Sequence, residues 1–155
     1  MKFVCYSNWD QLPESANALF EQAEKDSIFF SRPWFENVDA AAVGNVGDND
    51  KDKTLALACV LAESTVLAIL PLVRNASNSG YSLKHRYTPV YSLLMVDENQ
   101  EQVLACLGQG LNQLPLNGLL LEPVAGNDTK LDGLQRVMEA AGFSCHHAFR
   151  FYNWI

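Results

Sequence analysis

Three short stretches of this chain carry side chains whose types and spacing could do chemistry. In the first, Phe29-Phe30-Ser31-Arg32-Pro33-Trp34-Phe35, a guanidinium stands close to an indole. Stacking on the ring would pre-orient the guanidinium as an anion clamp, so Arg32 and Trp34 are candidate substrate-binding residues. The competing reading is a capped helix start whose rings are core and whose arginine is solvated. In the second, His85-Arg86-Tyr87-Thr88-Pro89-Val90-Tyr91, hydroxyl and cationic donors surround one group that titrates near neutrality. A tyrosine can act as general acid for a leaving thiolate, which makes Tyr91 the candidate catalytic residue, and Tyr87 joins the substrate-binding candidates. Tyrosines in strands more often pack with a solvated hydroxyl. In the third, Cys145-His146-His147, alternate residues of a strand share a face, so Cys145 and His147 point one way and His146 the other. Two ligands on a face do not close a zinc site, which needs four, and no metal is expected.

The elements that must position these groups follow from periodicity. Lys2 to Tyr6 reads as a strand, and Leu12, Ala16, Leu19, Phe20 and Ala23 recur at helical spacing, with Glu21 and Lys25 as an exposed i,i+4 pair. Ser31 is a good N-cap for a second helix running to about Val43, with Pro33 in its first turn and Phe30 and Phe35 at the staple positions. Gly44 to Lys53 has the composition of a surface loop. Thr54 to Ala62 and Thr65 to Val73 form an antiparallel hairpin around Glu63-Ser64, apolar on both faces. Pro71 cannot donate to a ladder, which predicts a bulge or a sheet edge there.

Tyr81 to Tyr87 is a further strand, and Ser92 to Val96 a strand or loop before a third helix capped by Asp97. That helix carries Val103, Leu104, Leu107, Leu111 and Leu114 on one stripe, and its Gly108 and Gly110 imply close packing. Asn117 to Val124 is a strand, and Asp128 caps a fourth helix with Leu131, Leu134, Val137, Met138 and Ala141 inward. Gly142 stops this helix, and Ser144 to Trp154 is the last strand. The order predicts an α+β fold, a mixed, mostly antiparallel sheet flanked by about four helices in three α/β/α layers.

Composition narrows the classes of function. Eighteen acidic against eleven basic side chains, with no Lys/Arg cluster large enough to offset the mean field, argue against nucleic-acid partners. No apolar run is long enough to insert into a membrane. A polar N-terminus and four scattered cysteines, Cys5, Cys59, Cys106 and Cys145, fit buried free thiols in a cytoplasmic protein. At 155 residues one domain is expected.

Phe30-Ser31-Arg32-Pro33-Trp34-Phe35, the hairpin ending Leu70-Pro71-Leu72, Tyr87-Thr88-Pro89-Val90-Tyr91 and the closing Asn153-Trp154, taken in that order, resemble the N-terminal half of two-domain, FemAB-like and cellulose-biosynthesis-type acyltransferases of the GNAT superfamily. The resemblance implies a single GNAT-like domain, the non-P-loop half of an N-acyltransferase that modifies an amine on a small-molecule or cell-envelope acceptor. Its partner would be a second GNAT-like domain or another copy of itself. The acyl-CoA signature of the superfamily, Gln/Arg-x-x-Gly-x-Gly/Ala before the third helix, has no counterpart: no glycine occurs from Arg86 to Glu101, and Asp97, Glu98 and Glu101 would oppose a phosphate. No cofactor is therefore expected for the isolated domain, and acetyl-CoA or another acyl-CoA is the donor the resemblance would otherwise imply. The rival expectation is a non-catalytic binding or assembly module that self-associates through an unfinished sheet edge.

Overall fold

The two apolar runs form the centre of the fold. In the computed structural model, which describes residues 1–44 and 53–149, β2 (Thr54–Ala62) and β3 (Thr65–Arg74) pair antiparallel as a hairpin. Ala56 to Leu61 and Ala68 to Leu72 are buried without alternation, so both faces of these strands are covered. The turn between them places Glu63 at φ 55°, a left-handed conformation. Ser15 anchors this turn: its hydroxyl donates to the Ser64 carbonyl at 2.8 Å and accepts from the Val66 N–H at 3.1 Å. Committed to the hairpin, that hydroxyl leaves α1 (Ala16–Glu24) without a side-chain cap.

β1 (Lys2–Tyr6) pairs antiparallel with β2, and on the far side of β3 lie two short strands, β4 (Ser79–Ser82) and β5 (Leu94–Met95). Both run antiparallel to β3, β4 against Leu72 to Arg74 and β5 against Ala68 and Ile69. They are two ends of one interrupted strand, separated by residues 83–93. β6 (Gly118–Leu120) then adds parallel to β4. The result is α+β, a mixed, mostly antiparallel open sheet of six strands in the order β1-β2-β3-β4-β6, with β5 also on β3.

Pro71 explains the interruption. It pairs in register with Leu57, so there is no bulge at the proline, and β3 is internal rather than an edge. The register shift falls instead where Val60 and Leu61 face Ala68 and Val66, leaving Leu67 as the extra residue; the Leu67 carbonyl accepts from Val96 N–H at 2.9 Å. A strand residue's N–H and C=O point to the same side. The Pro71 carbonyl meets Leu83 N–H at 3.0 Å on the side where β4 has ended and β5 has not begun. Pro71 has no N–H to return to Leu83, so the ladder stops at this pair.

Four α-helices lie among the described residues: α1, α2 (Arg32–Gly44), α3 (Gln100–Gln113) and α4 (Thr129–Ala140). α1 packs on β3 and β5 and beside α2; α3 packs on β1 and β2 and beside α4. The expected stripe of α3 is buried at Val103, Leu104, Leu107 and Leu111. Its glycines are close-packing positions, because a Cβ on Gly108 would lie 2.3 Å from Val137 Cγ1 and one on Gly110 2.0 Å from the Phe3 ring. The start of α3 differs from expectation. Asn99, at φ 55°, is the N-cap and makes no side-chain cap bond, and Asp97 lies outside the first turn.

α4 follows its sequence signals more closely. Asp128 Oδ1 accepts from Lys130 and Leu131 N–H at 3.0 Å, and the helix ends with Gly142 at φ 99°. Phe143 N–H reaches Met138 O and Gly142 N–H reaches Glu139 O, the paired bonds of a Schellman stop. Ala141 is exposed rather than inward. Strand pairing is shorter than the strands expected over 81–87 and 117–124, because Leu83 onward leaves the ladder at Pro71. Residues 144–149 form no strand, and the remainder of the expected last strand, like most of the expected loop at 44–53, lies outside the described residues. No described helix is long and apolar enough to cross a membrane.

Candidate functional site

Arg32 opens α2, which starts where Ser31 Oγ accepts from the Trp34 N–H at 3.2 Å. From there the guanidinium is shared among three acceptors: Nε to Glu36 Oε1 at 2.6 Å, Nη1 to Asn17 Oδ1 at 2.9 Å and Nη2 to the Trp9 carbonyl at 3.2 Å. It thus ties α2 to α1 and to the turn before it. Trp34 turns to Phe29, edge to face at 4.7 Å. The clamp drawn from the spacing needs the guanidinium over the indole, whereas Arg32 is held by oxygen acceptors. Trp34 Nε1 is buried without a hydrogen-bond partner among the described residues. From the aromatic block Phe35 enters the core, where Trp9, Phe20, Phe35 and Tyr91 form successive tilted or edge-on pairs with centroids 6.2 to 6.4 Å apart.

Tyr91 closes that aromatic series and is 1% exposed. Its hydroxyl donates to the Pro71 carbonyl at 2.5 Å, filling the gap left in the sheet. Burial pushes its pKa well above the ordinary 10.0. A general acid must reach the atom it protonates. Here the proton points into the sheet interior, so the geometry gives Tyr91 the work of a strut. Its backbone N–H donates to Pro123 O at 2.7 Å, and Tyr91 bridges Val124 in parallel.

Tyr87 is placed the opposite way, 71% exposed at the tip of the 83–93 excursion. The Arg86 guanidinium carbon lies 4.9 Å from its ring centroid, and the His85 ring 5.2 Å away. The tip is internally braced: His85 N–H donates to Thr88 Oγ1 at 2.9 Å, Thr88 N–H to the His85 carbonyl at 2.9 Å, and Tyr87 N–H to His85 Nδ1 at 3.3 Å. At its base Lys84 Nζ pairs with Glu122 Oε1 at 2.8 Å. Spacing alone paired Arg32 with an aromatic ring; the stack forms instead at Arg86 and Tyr87, adjacent residues whose exposure on a turn no periodicity signals. The four candidates therefore do not share a pocket: Arg32 and Trp34 belong to the α1–α2 corner, Tyr91 to the core and Tyr87 to the excursion tip.

Cys145 Sγ lies 4.0 Å from the Gln135 carbonyl, and His147 Nε2 hydrogen-bonds Gln135 Oε1, so this pair docks on α4. No group of three or more His, Cys, Asp or Glu among the described residues is placed to hold a metal ion. Burial raises the thiol pKa of Cys5 and Cys145, and that of Cys59 to about 12. None has the lowered pKa of a nucleophile. Missed by sequence reasoning was Ser92, whose buried hydroxyl donates to Asp128 Oδ2 at 2.5 Å while Oδ1 caps α4. The bond fixes the start of α4.

At the start of α3 an open depression of about 330 Å³ is lined by Asp97, Asn99, Gln100, Glu101 and Gln102. Helix N-terminal N–H groups attract anions, but two carboxylates in this lining act against that. Comparison with protein-family models, with curated proteins and with solved structures found no match to this chain.

Proposed function

We propose that this chain is a GNAT-like domain serving as the non-P-loop half of an N-acyltransferase, shaping the groove for an amine acceptor while the acyl donor is held elsewhere. The observation that carries the reading is the sheet. An antiparallel β1-β2-β3 run is followed by an interrupted strand, a helix, and a strand that returns parallel to β4. This connectivity is compatible with a GNAT-like three-layer layout. The carboxylate-lined start of α3 supports the non-P-loop assignment, because the segment between β5 and α3 offers acidic side chains where a pyrophosphate would need N–H donors. Isothermal titration with acetyl-CoA tests this directly: no saturable heat is expected from the chain alone, and tight binding overturns the assignment. Acyl transfer is then assayed with the domain joined to a second GNAT-like half, where activity is expected only in the joined form.

A second reading, a non-catalytic assembly module, is favoured by the engagement of Tyr91 and Arg32 in structural bonds. Sedimentation velocity separates the two. Self-association with no acyl transfer in any joined form selects the module.

A further inference from the structure

β6 is a short edge strand, three residues long, last in the strand order and exposed at Gly118 and Leu120. Its start is fastened by Asn117. The backbone N–H of Asn117 donates to the Asn78 carbonyl at 2.8 Å and its side-chain Nδ2 to the Ser77 carbonyl at 2.6 Å, so one residue ties β6 twice to the turn between β3 and β4. That turn is itself braced, since Asn75 Oδ1 accepts from Ser77 N–H at 3.0 Å and from Ser79 N–H at 2.9 Å. Asn117 is exposed, and it is the only asparagine in the sequence followed by glycine.

We propose that Asn117 is a self-modification site, at which loss of ammonia turns the side-chain amide into a carboxylate and unlatches β6. The Gly118 nitrogen, having given its proton to hydroxide, bonds to Asn117 Cγ; the Cγ–Nδ2 bond breaks, and ammonia leaves with a proton taken from water. Water then opens the cyclic imide. Breaking its bond between nitrogen and Cγ gives aspartate, and breaking the bond between nitrogen and the main-chain carbonyl carbon gives isoaspartate. Closing the imide requires the extended backbone to rotate, and a three-residue edge strand opens locally far more often than the whole domain unfolds. A side chain on the following residue would hinder both rotation and attack. Gly118 has none, and nothing lies within 4 Å of where its Cβ would be, so the surroundings leave the backbone room to turn. The products undo the latch in two ways. Aspartate places a charged oxygen where Nδ2 donated, so the Ser77 carbonyl loses its donor and meets an acceptor. Isoaspartate lengthens the main chain by one methylene just before Gly118, which shifts the register of Gly118 with Ser79 and of Leu119 with Gly80.

The test incubates the whole folded chain in mildly alkaline buffer and follows it by peptide mapping with mass spectrometry. The mass gain of an amide-to-acid exchange is expected to concentrate at Asn117, as both aspartate and isoaspartate, while the exposed Asn78 and Asn127, followed by Ser79 and Asp128, lag behind. Gly118→Ala, whose added methyl meets open space, should keep the parent's melting temperature and lose most of the gain. Asn117→Asp carries one product from the start; it should melt about 2–4 °C lower and exchange the amide hydrogens of β6 faster than the parent. The proposal is overturned if the folded chain stays unmodified at Asn117 while the unfolded chain converts, if Asn78 or Asn127 converts as fast, or if Gly118→Ala converts like the parent. It is equally overturned if Asn117→Asp keeps the parent's melting temperature and amide protection.

Discussion

The Tyr91 hydroxyl donates a 2.5 Å hydrogen bond to the carbonyl oxygen of Pro71, joining the end of the 83–93 excursion to the strand whose ladder the proline interrupts. A residue that lacks an N–H sits in the middle of a six-stranded sheet, and a phenol reaches in to satisfy the carbonyl beside the gap. Tyr91→Phe keeps the ring against Phe35 and removes only this bond. Because Leu83 N–H still serves the same oxygen, the expected loss is about 1 kcal/mol in denaturant unfolding. Loss of acyl transfer in a joined two-half enzyme with no loss of stability would instead return Tyr91 to a catalytic role.

Gly110 touches Phe3 so closely that an added methyl must displace an aromatic ring. Alanine is favoured over glycine in a helix by about 1 kcal/mol, and overpacking a rigid core costs about 1–3 kcal/mol. Gly110→Ala should therefore destabilise on balance, while Gly126→Ala, with nothing near its Cβ, should be close to neutral. Combining Gly110→Ala with Phe3→Leu is expected to recover part of the loss. Additive losses in the double mutant would show that the contact is not the cause.

Arg32 joins Trp9, Asn17 and Glu36 across three segments. Its head is partly exposed, with side-chain accessibilities of 25% for Arg32 and 42% for Glu36, which screens the ion pair. Arg32→Ala should cost about 1 kcal/mol, mostly from the bonds to Asn17 and the Trp9 carbonyl. Arg32→Lys should recover little of it, since an ammonium does not reproduce the planar fork. A melting temperature unchanged in Arg32→Ala would release the side chain for ligand binding.

Cys59 is inaccessible and its thiol pKa is pushed up to about 12 by burial, with the neighbouring Cys5 thiol adding to it. The folded state therefore favours the protonated thiol. The unfolded chain ionises first, so this contribution to stability is complete below pH 9.0 and is lost as pH rises from there towards about 12. Folded protein at pH 8 should leave Cys59 unlabelled by a thiol reagent while Cys145, which is only partly buried, reacts. Labelling of Cys59 in the native state at the rate of Cys145 would contradict its placement.

The turn at Glu63 offers a stabilising change. A non-glycine residue at φ 55° pays a steric penalty of about 1 kcal/mol, and glycine or asparagine there does not. Glu63→Asn should raise the melting temperature slightly; a drop would mean that the glutamate side chain makes a contribution beyond the turn.

Local signals in the sequence were enough for most elements. Continuous apolar runs gave the hairpin, the Ser31 and Asp128 caps and the Gly142 stop gave helix ends, and the 3.6-residue stripe with two glycines gave the buried face of α3. These are properties of a few neighbouring residues, and the chain can satisfy them without knowing the fold. Tertiary structure alone decided the rest. Where Pro71's missing donor would point depended on what lay across the sheet. Ser15 was taken from its helix cap by a hairpin turn far along the chain, and Arg32 was drawn to oxygen acceptors on segments that sequence distance hides. The candidate chemistry moved for the same reason: hydrogen-bond partners and exposure are set by contacts between distant residues, so Tyr91 became a strut in the core while Arg86 and Tyr87 became the exposed pair.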